Sequence, residues 1–242
     1  MNVLYKILNK ITKLRLNPIR VFCFHQVSDL YDANQYCRPD WISTKDFKRK
    51  IYTIQEKGYK FISLTEAYNH IKNDKFRLEK YAVLTCDDGL TCQSNLLPWL
   101  ETHNIPLTMF VTLQNLDGET CGEQILHYFK IKNKDEECAL ARKIYLNKAE
   151  LFSIKSDILE IGMHGFKHQD MRQLSNEEFL YELILCHNTL CEHPNYIPFF
   201  AYPYGQRNDI LDMQLHNNYF IPVLMDGKIN INESLFIHRE LL

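Results

Sequence analysis

The chain has 242 residues, 45% hydrophobic and 24% charged, which suits one globular domain with a sizeable core and excludes a disordered or fibrous chain. A formal net charge of −2 gives no basic excess for nucleic acid, and no stretch reaches the roughly 18 apolar residues of a membrane-spanning helix. Eight cysteines without a CxxC pair, several inside apolar runs, read as thiols in a reducing compartment and not as a disulfide framework.

At the start, Val3, Leu4, Ile7, Leu8, Ile11 and Leu14 recur at helical spacing, with Lys6, Lys10, Lys13 and Arg15 between them. Residues 1–18 are expected to form a basic amphipathic helix, which either lies on an anionic membrane surface or turns its stripe to the core. "IRVFCFH" (19–25) reads as a buried strand. A helix capped by Ser43 follows, with Phe47, Ile51 and Ile54 on its apolar face, and Gly58 stops it. "YKFISL" is a second strand, and "LTEAYNHIK" a helix with Thr65 as expected N-cap. "YAVLTC" (81–86) is the third strand, "SNLLPWLETHN" a helix bent by Pro98, and "LTMFVT" (107–112) the fourth strand.

Residues 113–150 are polar, charged and weakly helical, and read as an insertion serving as a lid or substrate-facing subdomain. "DILEIGMH" (157–164) and "FFAYP" (199–203) are further strands around a helix at 175–192, and "NYFIPVLM" is the last clear strand. This alternation predicts an α/β domain over 19–242, its parallel sheet closed or nearly closed into a barrel.

The chemistry-bearing residues fall where strands end. His25 follows the first strand, Asp87 and Asp88 the third, and His164 the "EIGM" strand, on the barrel face where active sites assemble. Adjacent carboxylates repel, and one is pushed toward protonation unless a cation sits nearby. His164 and His168, four apart, can with one carboxylate form an open three-ligand site for a divalent ion. Asp88 would then ligate while Asp87 acts as base. The competing reading is an Asp-Asp-Gly turn capping the next helix. His103, His187 and His193 lack such a setting and are expected at the surface. Cys86, beside Asp87, is set aside as a nucleophile because its strand position turns it away and an apolar site raises a thiol's pKa.

These segments resemble a known family. "TCDDG" is similar to the TFDDG motif of the NodB-homology polysaccharide deacetylases, "HGFKH" to their H-[ST]-x-x-H motif, and "FFAYPYG" to the YPYG form seen in poly-N-acetylglucosamine deacetylases. "VFCFHQV" resembles their opening strand, so the likeness runs over about residues 18–240. The resemblance implies a distorted (β/α)7 barrel and metal-dependent hydrolysis of an acyl group on a sugar. It implies Asp87 as general base and Asp88, His164 and His168 as ligands of one divalent ion, Zn2+ foremost, with Co2+, Ni2+ or Fe2+ as alternatives. Tyr204 would offer its backbone N–H to the oxyanion, and His25 would be the general acid, with His238 as rival. Cys86, Gly165 and Ala201 depart from the family pattern. Ala201 stands where many members have the arginine that orients the base, which leaves Arg239 and Arg207 as candidates for that task.

The expected partner is an acylated sugar. Without an export signal, the expected setting is the cytoplasm, at the inner face of the membrane if residues 1–18 bind it, and the expected substrate is a nucleotide- or lipid-linked precursor of a surface glycan. A catalytically silent glycan-binding relative, and a deformylase or O-deacetylase using the same site, are the alternatives. Oligomeric state leaves no mark on the sequence.

Overall fold

Strands buried on both faces read as nearly continuous apolar runs, and those here are arranged accordingly. The computed structural model describes residues 17–29, 40–74, 76–231 and 234–242; the expected helix over 1–18 lies, as far as residue 16, outside them. Among the described residues no helix is long and apolar enough to cross a membrane.

The strands are β1 (Ile19–Phe24), β2 (Tyr59–Phe61), β3 (Lys80–Asp88), β4 (Leu107–Val111), β5 (Leu159–Met163), β6 (Tyr196–Ala201), β7 (Ile221–Met225) and β8 (Ile237–Leu241). All ladders are parallel. They run β1-β8-β7-β6-β5-β4-β3, and β1 pairs again with β3, which closes a seven-stranded barrel. The short β2 adds to the start of β3, with Phe61 opposite Ala82.

Two-residue alternation sorts the strand residues into two layers. Ile19, Val21, Val83, Phe110, Phe199 and Val223 fill the barrel interior. Phe22, Phe24, Leu84 and Cys86 face outward, where Phe24 meets Phe47 of α1 (Thr44–Glu56) edge-on at 5.1 Å. α2 (Leu64–Asn73) contributes Leu64, Ala67 and Ile71 to the interior cluster and so plugs one end. Glu160, pointing inward from β5, accepts from the Leu64 N–H at 2.9 Å and from Thr108 Oγ1 at 2.9 Å. A carboxylate there satisfies an orphan helix donor and suits the positive helix end. The N-cap of α2 is Ser63, whose Oγ accepts from the Glu66 N–H at 3.1 Å, and not Thr65, which already has helical position.

Pro98 does not bend one helix: two short ones form, α3 (Thr91–Ser94) and α4 (Leu97–Thr102), parted at Asn95 and Leu96. Pro98 sits in the first turn of α4, where a missing N–H removes no helical bond. The 113–150 segment is more helical than its polarity suggests, forming α5 (Glu123–Tyr128) and α6 (Lys134–Ile144), with α7 (Lys148–Ser153) following. Its small core of Cys121, Ala141, Ile144 and Tyr145 closes on Leu90, and the Leu146 N–H bonds to the Gly89 carbonyl at 3.0 Å, so the segment docks beside the Asp87–Gly89 turn. α8 (Asn176–Leu190) starts with a Ser175–Glu178 capping box, and α9 (Asp209–Asn217) precedes β7. His193 is only 2% exposed, packed edge-on to Phe152, which corrects its expected place at the surface. His103 and His187 are half-buried against Trp99 and Tyr196.

Candidate active site

Consecutive residues of a regular strand point to opposite faces, so Asp87 and Asp88 could not both reach the barrel mouth if β3 ran straight. Asp88 takes φ 80° and Gly89 φ 76°, and this pair of left-handed residues turns the chain so that both carboxylates gather there. Aspartate is among the few side chains that tolerate that region. Any Cβ on Gly89 would also press on Val111 Cγ1 at 3.1 Å.

His164 is fixed from two sides: its N–H joins the Val111 carbonyl at 2.9 Å, and its Nδ1 lies 2.8 Å from the Ala201 carbonyl. A carbonyl only accepts, so Nδ1 carries the proton and Nε2 keeps its lone pair. The chain then turns through Gly165 (φ 77°) and His168 (φ 52°) and brings His168 edge-on to His164, ring centres 4.9 Å apart. Glu182 of α8 supports this turn from below, accepting from Gln169 Nε2 at 2.8 Å and the Phe166 N–H at 3.4 Å. Asp88 Oδ1 lies 3.5 Å from His164 Nε2 and 3.1 Å from His168 Nε2. One ligand atom from each of the three falls within 4.8 Å of the others. One carboxylate and two imidazoles, one of them held in the metal-binding tautomer, are a donor set that fits a single divalent ion with a position left open.

Asp87 meets a different environment. Arg239, reaching inward from β8, grips it with both nitrogens, Nη1 to Oδ1 at 2.7 Å and Nη2 to Oδ2 at 2.9 Å. Arg239 is 1% exposed and Asp87 4%. Burial alone would raise the Asp87 pKa, but the guanidinium, helped by His164 and His25, outweighs it and holds the carboxyl well below the usual carboxylate range. Cys23 completes the packing: its Sγ lies 3.5 Å from Asp87 Oδ2 and accepts from Arg239 Nη1 at 3.4 Å. Burial pushes this thiol up, and it pushes up Cys86, which faces the outer core.

A cavity of about 500 Å3 opens over these groups, lined by His25, Asp87, His164, His168, Tyr204 and Arg239 among others. His25 Nδ1 is 2.8 Å from Asp40 Oδ2, and Gln93 Nε2 ties the His25 carbonyl (2.9 Å) to that of Asp87 (2.6 Å). Tyr204 sits in the Pro203–Gly205 turn with φ 57°, its ring edge-on to His168 at 4.7 Å. His238 is on the opposite face of β8 from Arg239, with Nδ1 2.9 Å from Asp226 Oδ2. Arg207 is engaged with Asp212, which also accepts from the Tyr202 hydroxyl at 2.9 Å, and it makes no contact with Asp87. The structure therefore brings His25 and Arg239 to the carboxylates and leaves His238 and Arg207 away. Cys23, which the motifs do not mark, shares a face with Val21 and His25 by simple alternation along "VFCFH", a signal that could have found it.

The sequence profile described as polysaccharide deacetylase matches residues 75–219. No curated protein matches the chain by sequence. Among solved structures, the chain is similar to a de-N-acetylase from Aggregatibacter actinomycetemcomitans (TM-score 0.74, 18% identity, covering 93% of this chain and 95% of that one). It is also similar to the deacetylase PplD of Streptococcus pyogenes (0.70, 20%, 94% and 93%) and to IcaB from Ammonifex degensii (0.69, 20%, 94% and 93%). These likenesses carry the barrel, and the profile match over more than half of the sequence carries the kinship: the chain belongs to the polysaccharide deacetylase family.

Proposed function

We propose that the chain is a metal-dependent hydrolase that removes the N-acetyl group of an amino sugar carried on a nucleotide or lipid. The observation that carries this reading is the grouping of Asp88, His164 and His168 around one point, beside a separate carboxylate kept ionised by Arg239. A divalent ion held by those three residues would supply Lewis-acid polarisation of water and of the amide carbonyl. Asp87 accepts the proton of the attacking water, its two oxygens aimed by the guanidinium. His25, beside Asp87, returns a proton to the departing amine. The Tyr204 N–H is assigned to the oxyanion that forms on the amide carbonyl.

Mass spectrometry of N-acetylated nucleotide and polyprenyl sugars, incubated with wild type and Asp87→Asn, tests the reading. Wild type should remove roughly 42 mass units, and the variant should be slower by ~10²–10⁴. No mass loss from any acetylated sugar, or equal rates for the two proteins, would contradict it.

A further inference from the structure

The end of the barrel opposite the reaction cavity, where β1 and β3 begin, carries a reversed pattern. In Phe76-Arg77-Leu78 and in Ile229-Asn230-Ile231 the polar middle residue is buried, while the four apolar neighbours stand 45% to 69% exposed, Leu78 the most. Alternation along extended chain ordinarily turns the apolar side chains in. Here the polar groups are needed inside, as clamps. Arg77 donates to the carbonyls of Asn17 (2.8 Å), of His70 in the last turn of α2 (2.9 Å) and of Ile231 (3.2 Å). Asn230 exchanges backbone bonds with Ile19 at the start of β1, and its Nδ2 donates to the His238 carbonyl at 2.8 Å. Asn17 is tied to the first stretch, its N–H joining the Arg77 carbonyl at 3.0 Å and its side-chain amide donating to the Leu78 carbonyl. The clamps thus hold Leu78 and Ile231, with Phe76 and Ile229 beside them, around the point where residues 1–16 join the barrel. Glu79, next along the chain, is neutralised by Lys60.

Charge is distributed as unevenly as apolar surface. Residues 1–16 include Lys6, Lys10, Lys13 and Arg15 and no acidic residue, so they carry +4 while the other 226 residues carry −6. Their apolar positions recur at helical spacing with these cations between them. Packing of residues 1–16 against the exposed side chains would use that apolar stripe but not the cations. An anionic lipid surface uses both, because apolar side chains enter the acyl boundary while lysines meet the headgroups. We infer that this end of the barrel docks on an anionic lipid surface, with Leu78 and Ile231 entering it beside residues 1–16. The reaction cavity, at the other end, then stays open to water. The inference does not depend on the reaction assigned to that cavity.

The test is co-sedimentation of the full chain with vesicles of phosphatidylcholine alone and of phosphatidylcholine and phosphatidylglycerol in equal amounts. Wild type should pellet with the anionic vesicles and not with the neutral ones, and raising the salt should weaken the binding. Leu78→Ser/Ile231→Ser, which leaves both clamps in place, should bind about tenfold more weakly. Lys6→Gln/Lys10→Gln/Lys13→Gln should lose about a hundredfold. The control Ile210→Ser/Met213→Ser, which removes two comparably exposed apolar side chains from α9, should stay within about twofold of wild type. Wild type that ignores anionic vesicles or binds neutral ones equally, or a Leu78→Ser/Ile231→Ser variant that binds like wild type, would overturn the inference. Wild type that stays in the supernatant while Leu78→Ser/Ile231→Ser lowers the Tm would mean that residues 1–16 cover these side chains instead, and overturns it as well.

Discussion

Replacing Arg239 with methionine keeps most of the side chain's volume and removes its charge. The partner left behind is Asp87, 4% exposed, which loses two hydrogen bonds of 2.7 and 2.9 Å at once. An exposed pair broken this way costs below about 1 kcal/mol, whereas a buried carboxylate stripped of its partner costs about 3–5 kcal/mol, and the burial of both groups selects the larger range. For a chain of this length that corresponds to a fall in Tm of roughly 10 °C. The pH dependence fixes the cause. In wild type the folded Asp87 pKa is depressed, so its contribution is present above the unfolded carboxylate value near 4 and fades only as pH falls through the lower folded value. In Arg239→Met burial is opposed only by His164 and His25 and raises the folded pKa above its wild-type value, so the variant's deficit is largest at neutral pH and shrinks on acidification. Urea denaturation of metal-free wild type and variant at pH 7 and pH 5 reads both effects. A deficit under about 1 kcal/mol, or one that does not shrink at pH 5, would refute the reasoning. Arg239→Lys, which keeps the charge but not the fork, should fall between.

Glu182→Ala removes the acceptor beneath the 166–169 turn, and a divalent ion should then bind roughly tenfold or more weakly by chelator competition; Glu182→Gln, which can still accept, should lose less. Gly165→Ala would place a Cβ 2.3 Å from Met171 Cε at φ 77°, so thermal unfolding should show a loss of about 1–3 kcal/mol, part of which Met171→Ala should relieve; no loss would mean that the turn relaxes freely. His25→Ala should slow hydrolysis by ~10²–10⁴ while His238→Ala stays within about twofold of wild type, and the reverse order would move the acid role to His238.

Much of this was legible in the sequence because the strands advertise both their position and their end. β1, β3, β4 and β5 are buried on both faces and run straight into His25, Asp87–Asp88, the 113–150 segment and His164, so the barrel and its working rim could be read together. β8 was hidden for the opposite reason: in "IHREL" its interior face carries Arg239, a charge satisfied only by a partner 152 positions away. Sequence could nominate Arg239 and Arg207 equally, since both are arginines downstream of Ala201; only folding shows that Asp212 takes Arg207. The cap of α2 was misplaced by two residues because Ser63 and Thr65 are both competent oxygens, and the choice depends on where Glu160 receives the Leu64 N–H. His193 looked like a surface residue in "CEHPN" because nothing local reports that Phe152 covers it.

The central claim is that Asp88, His164 and His168 share one divalent cation, and metal analysis tests it most directly. Protein loaded with Zn2+ and dialysed should retain one ion per chain, while Asp88→Ala and His164→Ala, both still folded by circular dichroism, should retain none. Wild type that holds no ion, or variants that hold it as tightly as wild type, would contradict the account.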